Sequence, residues 1–331
     1  MMHSAFITGA GGFVGSHVLT ALQHQGVAVR ALAHSNASRQ TLDAAGVETV
    51  QSDITNVSLL RKALTPTPDV VFHIAADTSM WRKDRKRQWR VNVDGTRAIL
   101  EAALDRGVGR FVLTSSISVY GLTPDRINES TPYRGLSGPI HYARSKAAAE
   151  ALVQTAGAQG RIRTAVLQPC HILGPGDRHN WSTVAQLLAK GRLPGAPSGI
   201  GCFADVRDVA AAHVAAALHP SATRTWVLGG LSAPFGALVA AMAIALGVPV
   251  PRRTLPPALL WLHALTQEGV AIATRRAPAV TRESVALACH HLRVDDSRAR
   301  SELAYQHASL QSMTDDTIAW LRAAELLPSL Q

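Results

Sequence analysis

A glycine-rich turn close to the start of the chain constrains the fold more than any other feature of the sequence. Glycine at positions 9, 12 and 15 lies between an apolar segment, 5–8, and an amphipathic pattern, 13–25. Without Cβ atoms, such a turn lets a pyrophosphate approach the backbone, and the helix that follows offers free N–H groups. This placement predicts a dinucleotide-binding turn, and the chain has no GxxxxGK[ST] phosphate loop. The expected cofactor contacts are Gly9, Gly12, Phe13, Val14 and Gly15.

The first half of the chain alternates short apolar strands with helical patterns, which predicts a doubly wound parallel α/β sheet of the Rossmann type. After Pro169 the sequence becomes rich in Gly and Pro, with one helix at 181–190, and then mostly helical. We therefore expect a dinucleotide-binding domain of 1–168 plus about 203–230, and a smaller, mainly helical substrate-binding region of about 169–202 and 231–331. The predicted strands are 5–8, 28–33, 47–52, 69–74, 110–115, 164–168 and 225–228.

The end of the second predicted strand bears on the choice of dinucleotide. NAD-preferring sites usually carry a carboxylate there to bind the ribose hydroxyls. Here the strand runs into His34 and Ser35, followed by Arg39, and no carboxylate is present. These side chains suit a 2′-phosphate, so the sequence favours NADP(H) over NAD(H), although His34 as a plain loop residue stays an alternative.

A tyrosine and a lysine lie one turn apart in Tyr142-Ala-Arg-Ser-Lys146, at the start of a predicted helix. A tyrosine with a pKa of about 10 exchanges protons poorly at neutral pH, and a lysine charge nearby is expected to lower that value. Ser116 ends the fifth predicted strand, so all three side chains should meet at the carboxyl edge of the sheet, where doubly wound folds bind ligands.

Several motifs in this order resemble the extended short-chain dehydrogenase/reductase family, which includes the NAD-dependent epimerases and dehydratases. They cover most of the chain, and the stretches between them look most like dihydroflavonol-reductase-like and 3β-hydroxysteroid-dehydrogenase-like members. The motifs are TGAGGFVG at 8–15, HIAA at 73–76, VNVDGT at 91–96, TSSISVYG at 114–121, YARSK at 142–146, PCHILGPGD at 169–177, FADVRDVAAAH at 203–213 and VDDSRARSELAY at 294–305.

The resemblance implies roles for the matching residues. Ser116, rather than its neighbour Ser115, would hydrogen-bond the substrate carbonyl, and Tyr142 would donate a proton to it. Lys146 would bind the nicotinamide ribose, and Asn92 would support the active-site helix. Asp53 would meet the adenine. Further cofactor contacts implied by the resemblance are Ile54, Ala75, Ala76, Pro169 and His171.

Departures from the family pattern indicate the branch. Dehydratases carry an acidic pair where this chain has Ile117 and Ser118, and epimerases usually carry an arginine where it has Gly201. The expected substrate wall is apolar and aromatic instead, which suits a hydrophobic aldehyde, ketone or alcohol. His171 is either a second proton donor or a structural histidine. The candidate wall residues are Met80, Trp81, Tyr120, His171 and Trp181.

Composition restricts the remaining function classes. The net charge of +10 suits an anionic cofactor, and no nucleic-acid motif accompanies it. The basic run at 82–90 is interpreted as a solvated helix start. Three scattered cysteines argue against a disulfide framework or a metal site, and no apolar stretch is long enough to span a bilayer. We therefore expect a cytoplasmic protein.

The sequence leaves open whether the chain contacts a membrane and whether it forms a homodimer. The apolar segment 255–274, flanked by arginines, is a packed helix of the C-terminal region, a lid, or a peripheral membrane contact. A homodimer packed through 91–106 and 142–155 is also expected from the resemblance. The predicted function is NADP(H)-dependent carbonyl reduction. The alternatives are a sugar epimerase that retains NAD and a non-catalytic dinucleotide-binding sensor or assembly protein.

Overall fold

The computed structural model describes residues 2–123 and 126–328. Its strands are β1 (Ser4–Thr8), β2 (Ala28–Ala33), β3 (Glu48–Gln51), β4 (Val70–His73), β5 (Arg110–Thr114), β6 (Arg163–Pro169), β7 (His171–Leu173), β8 (Ala196–Pro197), β9 (Ile200–Asp205), β10 (Thr223–Leu228), β11 (Leu231–Pro234) and β12 (Thr254–Leu255). Its helices are α1 (Phe13–His24), α2 (Asn36–Ala44), α3 (Val57–Ala63), α4 (Arg85–Trp89), α5 (Gly95–Asp105), α6 (His141–Ala158), α7 (Trp181–Ala189), α8 (Val206–Leu218), α9 (Phe235–Leu246), α10 (Pro257–Thr274), α11 (Arg282–Ala288), α12 (Ser297–Leu303) and α13 (Leu310–Ala323).

The centre of the fold is a seven-stranded parallel sheet in the order β3-β2-β1-β4-β5-β6-β10. Every residue of β4 and β5 is buried, because helices cover both faces of the sheet, and such strands read as continuous apolar runs. The strand order reverses between β1 and β4, and ligands of doubly wound sheets bind at this point. The predicted fold class is confirmed.

Each face of the sheet has its own apolar core. One cluster joins the sheet to α1 and α8, and the other joins it to α3, α5 and α6. A third cluster lies among α7, α9 and α13 and draws only on residues from 173 to 321. Helix α1 buries a single stripe, Gly15, Val18, Leu19 and Leu22, as the 3.6-residue pattern of its apolar residues requires.

The segment after β6 contains more strand than the sequence predicts. We expected loops around one helix, but β7, β9 and β11 form a three-stranded sheet, and β8 pairs with β12. β7 and β8, with three and two residues among glycines and prolines, give too short a pattern for recognition. The division into two domains at the stated boundaries stays a prediction, as does a homodimer packed through α5 and α6.

The helix predicted over 91–106 begins differently. A π-helical turn, Arg90–Asp94, connects α4 to α5, so the basic run belongs to a helical stretch as predicted. Within 2–123 and 126–328, we find no helix that combines the length and the apolar character needed to cross a bilayer.

Candidate active site

A cavity of about 1290 Å³ runs along the carboxyl edge of the large sheet. The cavity wall is formed by residues from the segments after β1 to β5 and by the end of β6. These segments meet there because the carboxyl ends of parallel strands lie at the same edge of the sheet. The far end is closed by α7, α9 and α11. Of the sequence-predicted residues, the cavity wall contains Gly9, Gly12, Phe13, Val14, Gly15, His34, Asp53, Ile54, Ala75, Ala76, Met80, Ser116, Tyr142, Lys146, Pro169, His171 and Trp181.

The glycine turn has the shape that a pyrophosphate requires. Gly9 has a φ of +81°, and a Cβ there would lie 2.6 Å from the Ala75 nitrogen. A Cβ on Gly15 would lie 1.9 Å from the Gly9 oxygen, so this glycine lets α1 pack directly on the turn. No side chain caps the N-terminus of α1, and its first residues line the cavity. This end of the cavity fits an anionic pyrophosphate.

At the adenosine end, the sequence prediction needs a correction. His34 lies on the cavity wall, but Arg39 does not. Ser35 caps α2 through the Ser38 nitrogen, and Arg39 lies within that helix, where its Nε is 3.4 Å from Asp43 Oδ2 on the exposed surface. Arg39 is therefore placed one turn into α2, away from the cavity.

Two arginines of the basic run face the same part of the cavity. Arg90 forms an ion pair with Asp53, whose carboxylate also accepts hydrogen bonds from the Thr55 nitrogen (2.9 Å) and hydroxyl (2.7 Å). These bonds, first of all that from the Thr55 backbone, lower the pKa of Asp53. Arg87 lines the cavity and donates to Asp77 (2.7 Å). The basic run is thus solvated in part, and its two cavity-lining arginines are both paired with carboxylates, since Arg87 also lies 3.1 Å from Asp84.

The three proposed catalytic side chains are close together. Ser116, Tyr142 and Lys146 all line the cavity, and the Ser116 hydroxyl is near enough to Tyr142 to act on the pKa of its phenol. Lys146, one turn further along α6, is buried and donates from Nζ to the Thr114 carbonyl at the end of β5 (2.7 Å). Ser115 also lines the cavity, but its hydroxyl donates to the buried Glu150. The geometry therefore favours Ser116 over Ser115 as the serine that can contact a substrate.

The electrostatics of this group differ from the sequence expectation. Burial raises the pKa of Tyr142 to about 12, and the neighbouring Ser116 hydroxyl opposes this rise. We had expected a lowered value because of Lys146. Burial in turn lowers the pKa of Lys146 to about 8, opposed by the charge of Glu150. Desolvation is the largest effect on both groups, and it outweighs the Ser116 hydroxyl at Tyr142 and the Glu150 charge at Lys146.

Asn92 does not line the cavity, but it connects the elements that do. Its Oδ1 accepts from the Asp77 nitrogen (2.7 Å), and its Nδ2 donates to the Asp77 carbonyl (2.9 Å) and to Ser145 Oγ (3.0 Å). Ser145 in turn donates to the Tyr142 carbonyl (2.8 Å). Asn92 therefore holds the first turn of α6 against the segment after β4.

Two buried polar groups behind the site were not found from the sequence. His73 joins Thr8 Oγ1 (2.7 Å) and Thr96 Oγ1 (2.8 Å), and burial followed by the Lys146 charge lowers its pKa to about 3. Glu150 lies four residues after Lys146 on α6, and burial raises its pKa. A glutamate at this spacing within an alanine-rich helix was a usable signal. Its partners are Ser115, Tyr133, Gln154 and Gln168.

The far end of the cavity carries a compact group of rings, which we call the aromatic cluster: His171, Trp181, Phe203 and Phe235. Their ring centroids lie 5.4 to 5.7 Å apart, and Trp181 stacks on Phe235. Burial lowers the pKa of His171 to about 4, so this ring is neutral at pH 7. The cluster gives the cavity a wall suited to apolar ligands.

Two residues expected in the substrate wall are elsewhere. Tyr120 is fully buried, and its hydroxyl donates to Gln168 Oε1 (2.6 Å), because the short helical turn after β5 points it into the core. Trp81 is outside the cavity wall, and the Lys83 ammonium lies 5.3 Å from the centre of its ring. Of the pair 80–81, only Met80 reaches the cavity.

Comparison with known proteins agrees with this architecture. The family model described as "NAD dependent epimerase/dehydratase family" matches residues 5–229. The chain belongs to this family. The match contains the glycine turn, the segment after β4 and the Ser116, Tyr142 and Lys146 positions. The family consists of NAD(P)-dependent oxidoreductases, epimerases and dehydratases, so the chain is an NAD(P)-dependent enzyme acting on CH–OH or C=O groups.

Relatives of this epimerase/dehydratase family member span nearly its whole length. A Synechocystis protein named "Putative dihydroflavonol 4-reductase" is 31% identical over 96% of this chain and 94% of its own. "Sterol demethylase protein B" of Methylococcus capsulatus is 29% identical over 96% and 98%. The crystal structure of gox2253 superposes with a TM-score of 0.83 at 28% identity, covering 98% of this chain and 99% of that one.

Proposed function

We propose that this family member catalyses NADP(H)-dependent reduction of an aldehyde or ketone on a largely apolar small molecule. The observation that carries the proposal is that Ser116, Tyr142 and Lys146 line one cavity, which extends from the glycine turn to the aromatic cluster. A proton donor, a hydroxyl that can bind a carbonyl and a turn that can hold a dinucleotide then line the same cavity.

Each residue of the group has a separate task. The bound cofactor supplies or accepts hydride at its nicotinamide ring. Ser116 orients the substrate carbonyl through its hydroxyl, and Tyr142 donates its phenol proton to the carbonyl oxygen. With a pKa of about 12, Tyr142 holds this proton at neutral pH until the oxygen becomes basic. Removal of water by the apolar wall strengthens both hydrogen bonds.

Lys146 acts as a cation beside the phenol. Its pKa of about 8 keeps it mostly protonated at pH 7. The same ammonium group, anchored on the Thr114 carbonyl, is placed to bind the ribose hydroxyls next to the nicotinamide. It thus stabilises the phenolate that remains after proton donation.

The preference for NADP(H) is supported by charge at the adenosine end. The segment after β2 offers His34 and no carboxylate, and Arg87 and Arg90 line the nearby wall. A 2′-phosphate would gain from these cations, whereas the ribose hydroxyls of NAD would find no carboxylate after β2. NAD(H) is the alternative cofactor.

The apolar nature of the substrate is supported by the far end of the cavity. The aromatic cluster is neutral, and Val184 on α7, Leu287 on α11 and Leu292 beyond α11 continue the wall. We place the substrate in the region of 169–202 and 231–331. The two relatives named above carry names that refer to a dihydroflavonol and a sterol, both ring compounds.

The test is a panel of hydrophobic aldehydes and ketones with the purified chain, followed by the loss of NADPH absorbance. We expect consumption of NADPH that exceeds consumption of NADH at equal concentration. A sugar epimerase would instead carry tightly bound NAD, convert nucleotide sugars and consume no added cofactor. Mass spectrometry of ligand released from the fresh protein separates the two, and NADPH binding without turnover of any substrate would favour the sensor alternative.

A further inference from the structure

Helix α10 buries only a narrow stripe of two alanines and a glutamate, and it exposes most of its large apolar residues. Its buried positions are Ala264, Glu268 and Ala271, all on one stripe. A helix that simply packs on a domain shows the opposite pattern. Packing on α11 therefore accounts for one stripe of the helix and leaves its large apolar residues uncovered. The exposed residues, which we call the α10 apolar face, are Leu259, Trp261, Leu262, Leu265, Val270 and Ile272, with exposures from 39% for Leu265 to 61% for Ile272.

The exposed charged side chains at the two ends of the α10 apolar face are all positive. Glu268 is the only charged residue within α10, and it is buried in an ion pair with Arg282 (2.8 Å). Exposed arginine pairs lie at both ends of the helix, at 252–253 and 275–276. Among the residues that the structure describes, neither pair forms a salt bridge. An apolar face bordered by cations without counter-ions is complementary to anionic head groups.

The α10 apolar face lies near the substrate end of the cavity. α10 packs on α11, and Ser284 and Leu287 of α11 line the cavity wall. On its other side, the Lys83 ammonium is 3.5 Å from the Ile272 carbonyl, close to Met80, which lines the same cavity. A surface that contacted the exposed face of α10 would therefore be separated from the cavity wall only by α10 and α11.

A lipid surface fits this face better than a second copy of the chain. In a two-fold dimer built on α10, antiparallel helices would place the arginine pair 252–253 of one copy near the pair 275–276 of the other. Like charges would then meet at both ends of the interface with no carboxylate between them. Anionic phospholipids instead supply negative charge to both pairs at once and an apolar layer beneath them.

We propose that α10 is an interfacial membrane-binding helix, which inserts its apolar face into an anionic lipid surface and holds the cavity next to that surface. This proposal rests on the proposed function only for the nature of the molecule that enters the cavity. Binding to lipid itself needs neither substrate nor cofactor, so the two proposals can fail separately.

The experiment is co-sedimentation of the purified full-length chain with vesicles of phosphatidylcholine, with and without phosphatidylglycerol, at low and high ionic strength. We expect binding to the anionic vesicles that weakens as salt is added. The double variant Leu259→Glu/Leu262→Glu should lower the partition coefficient by about tenfold or more, because two apolar contacts are lost and carboxylates face anionic lipid. Arg252→Ser/Arg276→Ser should lower it by about fivefold per arginine.

The matched control is Leu218→Glu, since Leu218 is 51% exposed on α8 and Leu262 is 54% exposed. This control should bind as the wild type does, and all variants should keep the wild-type unfolding temperature within a few degrees. Equal sedimentation with and without phosphatidylglycerol, or unchanged binding by the double variant, would overturn the proposal. A dimer that Leu262→Glu dissociates, without vesicle binding by the wild type, would assign the face to a second copy instead.

Discussion

Replacing Lys146 by methionine should make the protein more stable at neutral pH while it abolishes carbonyl reduction. Lys146 is buried, and burial lowers its pKa from 10.5 to about 8. Such a depression means that the folded state holds the protonated lysine less well than the unfolded chain does. Methionine has a similar unbranched shape without the charge, so it removes this penalty from the folded state.

The magnitude follows from the two pKa values. The difference between 10.5 and about 8, at about 1.4 kcal/mol per pKa unit, corresponds to about 3 kcal/mol of desolvation cost below pH 8. The variant loses the hydrogen bond to the Thr114 carbonyl, which costs about 1 kcal/mol. We expect a net gain of about 2 kcal/mol in unfolding free energy at pH 7, or a melting temperature about 4 °C higher.

The pH dependence of the stability difference between the wild type and Lys146→Met tests the sign of this effect independently. Between pH 8 and 10.5 the unfolded chain binds the Lys146 proton and the folded protein has released it, so wild-type stability rises with pH in this window. The advantage of Lys146→Met is thus complete below pH 8 and disappears as the pH approaches 10.5.

The assay is urea unfolding of wild type and Lys146→Met at pH 7 and at pH 10, with NADPH oxidation measured on the same samples. Lys62→Met, at an exposed lysine of α3, is the control and should change stability by less than about 0.5 kcal/mol at either pH. The reasoning is refuted if Lys146→Met is less stable than the wild type at pH 7, or if its difference from the wild type does not change with pH.

Three further predictions concern the dinucleotide and the buried network. Gly15→Ala should lower NADPH affinity by about a hundredfold in fluorescence titration, because the new Cβ would lie 1.9 Å from the Gly9 oxygen. The control Gly11→Ala should bind NADPH nearly as the wild type does, because its Cβ would lie 3.3 Å from the Ser38 hydroxyl. His34→Asp should shift the ratio of kcat/KM values for NADPH and NADH towards NADH by about tenfold or more, and an unchanged ratio would remove His34 from cofactor selection. Glu150→Gln should lower the unfolding free energy by about 2 kcal/mol in urea titration, since the new amide N–H group would face the side chains that now donate to the carboxylate. The same variant should shift the alkaline limb of the pH–activity profile to lower pH, because the Glu150 charge raises the pKa of Lys146.

The large sheet could be predicted because its sequence signal is local. Its strands are short apolar runs bounded by turn residues, and each predicted strand overlaps one in the structure. The small strands β7, β8 and β12 were missed because two or three residues carry no period. The exposure of α10 was also beyond the sequence, since an apolar helix has the same composition whether it packs inward or faces outward.

Some site residues could likewise be placed from the sequence, and others could not. Residues that directly follow a strand, such as His34 and Ser116, lie on the cavity wall because the sheet fixes where each strand ends. Arg39, Trp81 and Tyr120 were assigned to the wall from their nearness in sequence, but a helix or a helical turn points each of them elsewhere. Desolvation also reversed the expected direction of the Tyr142 pKa, and burial of a single hydroxyl cannot be calculated from sequence.

The most direct test of the central claim is the single-turnover rate of NADPH oxidation by Tyr142→Phe with a substrate that the wild type reduces. This change removes the phenol proton and leaves the ring, so NADPH affinity should stay within about twofold of the wild type, while the rate falls by about a thousandfold. A Tyr142→Phe enzyme that binds NADPH normally and reduces the carbonyl at the wild-type rate would contradict the account, because the proton would then come from another group.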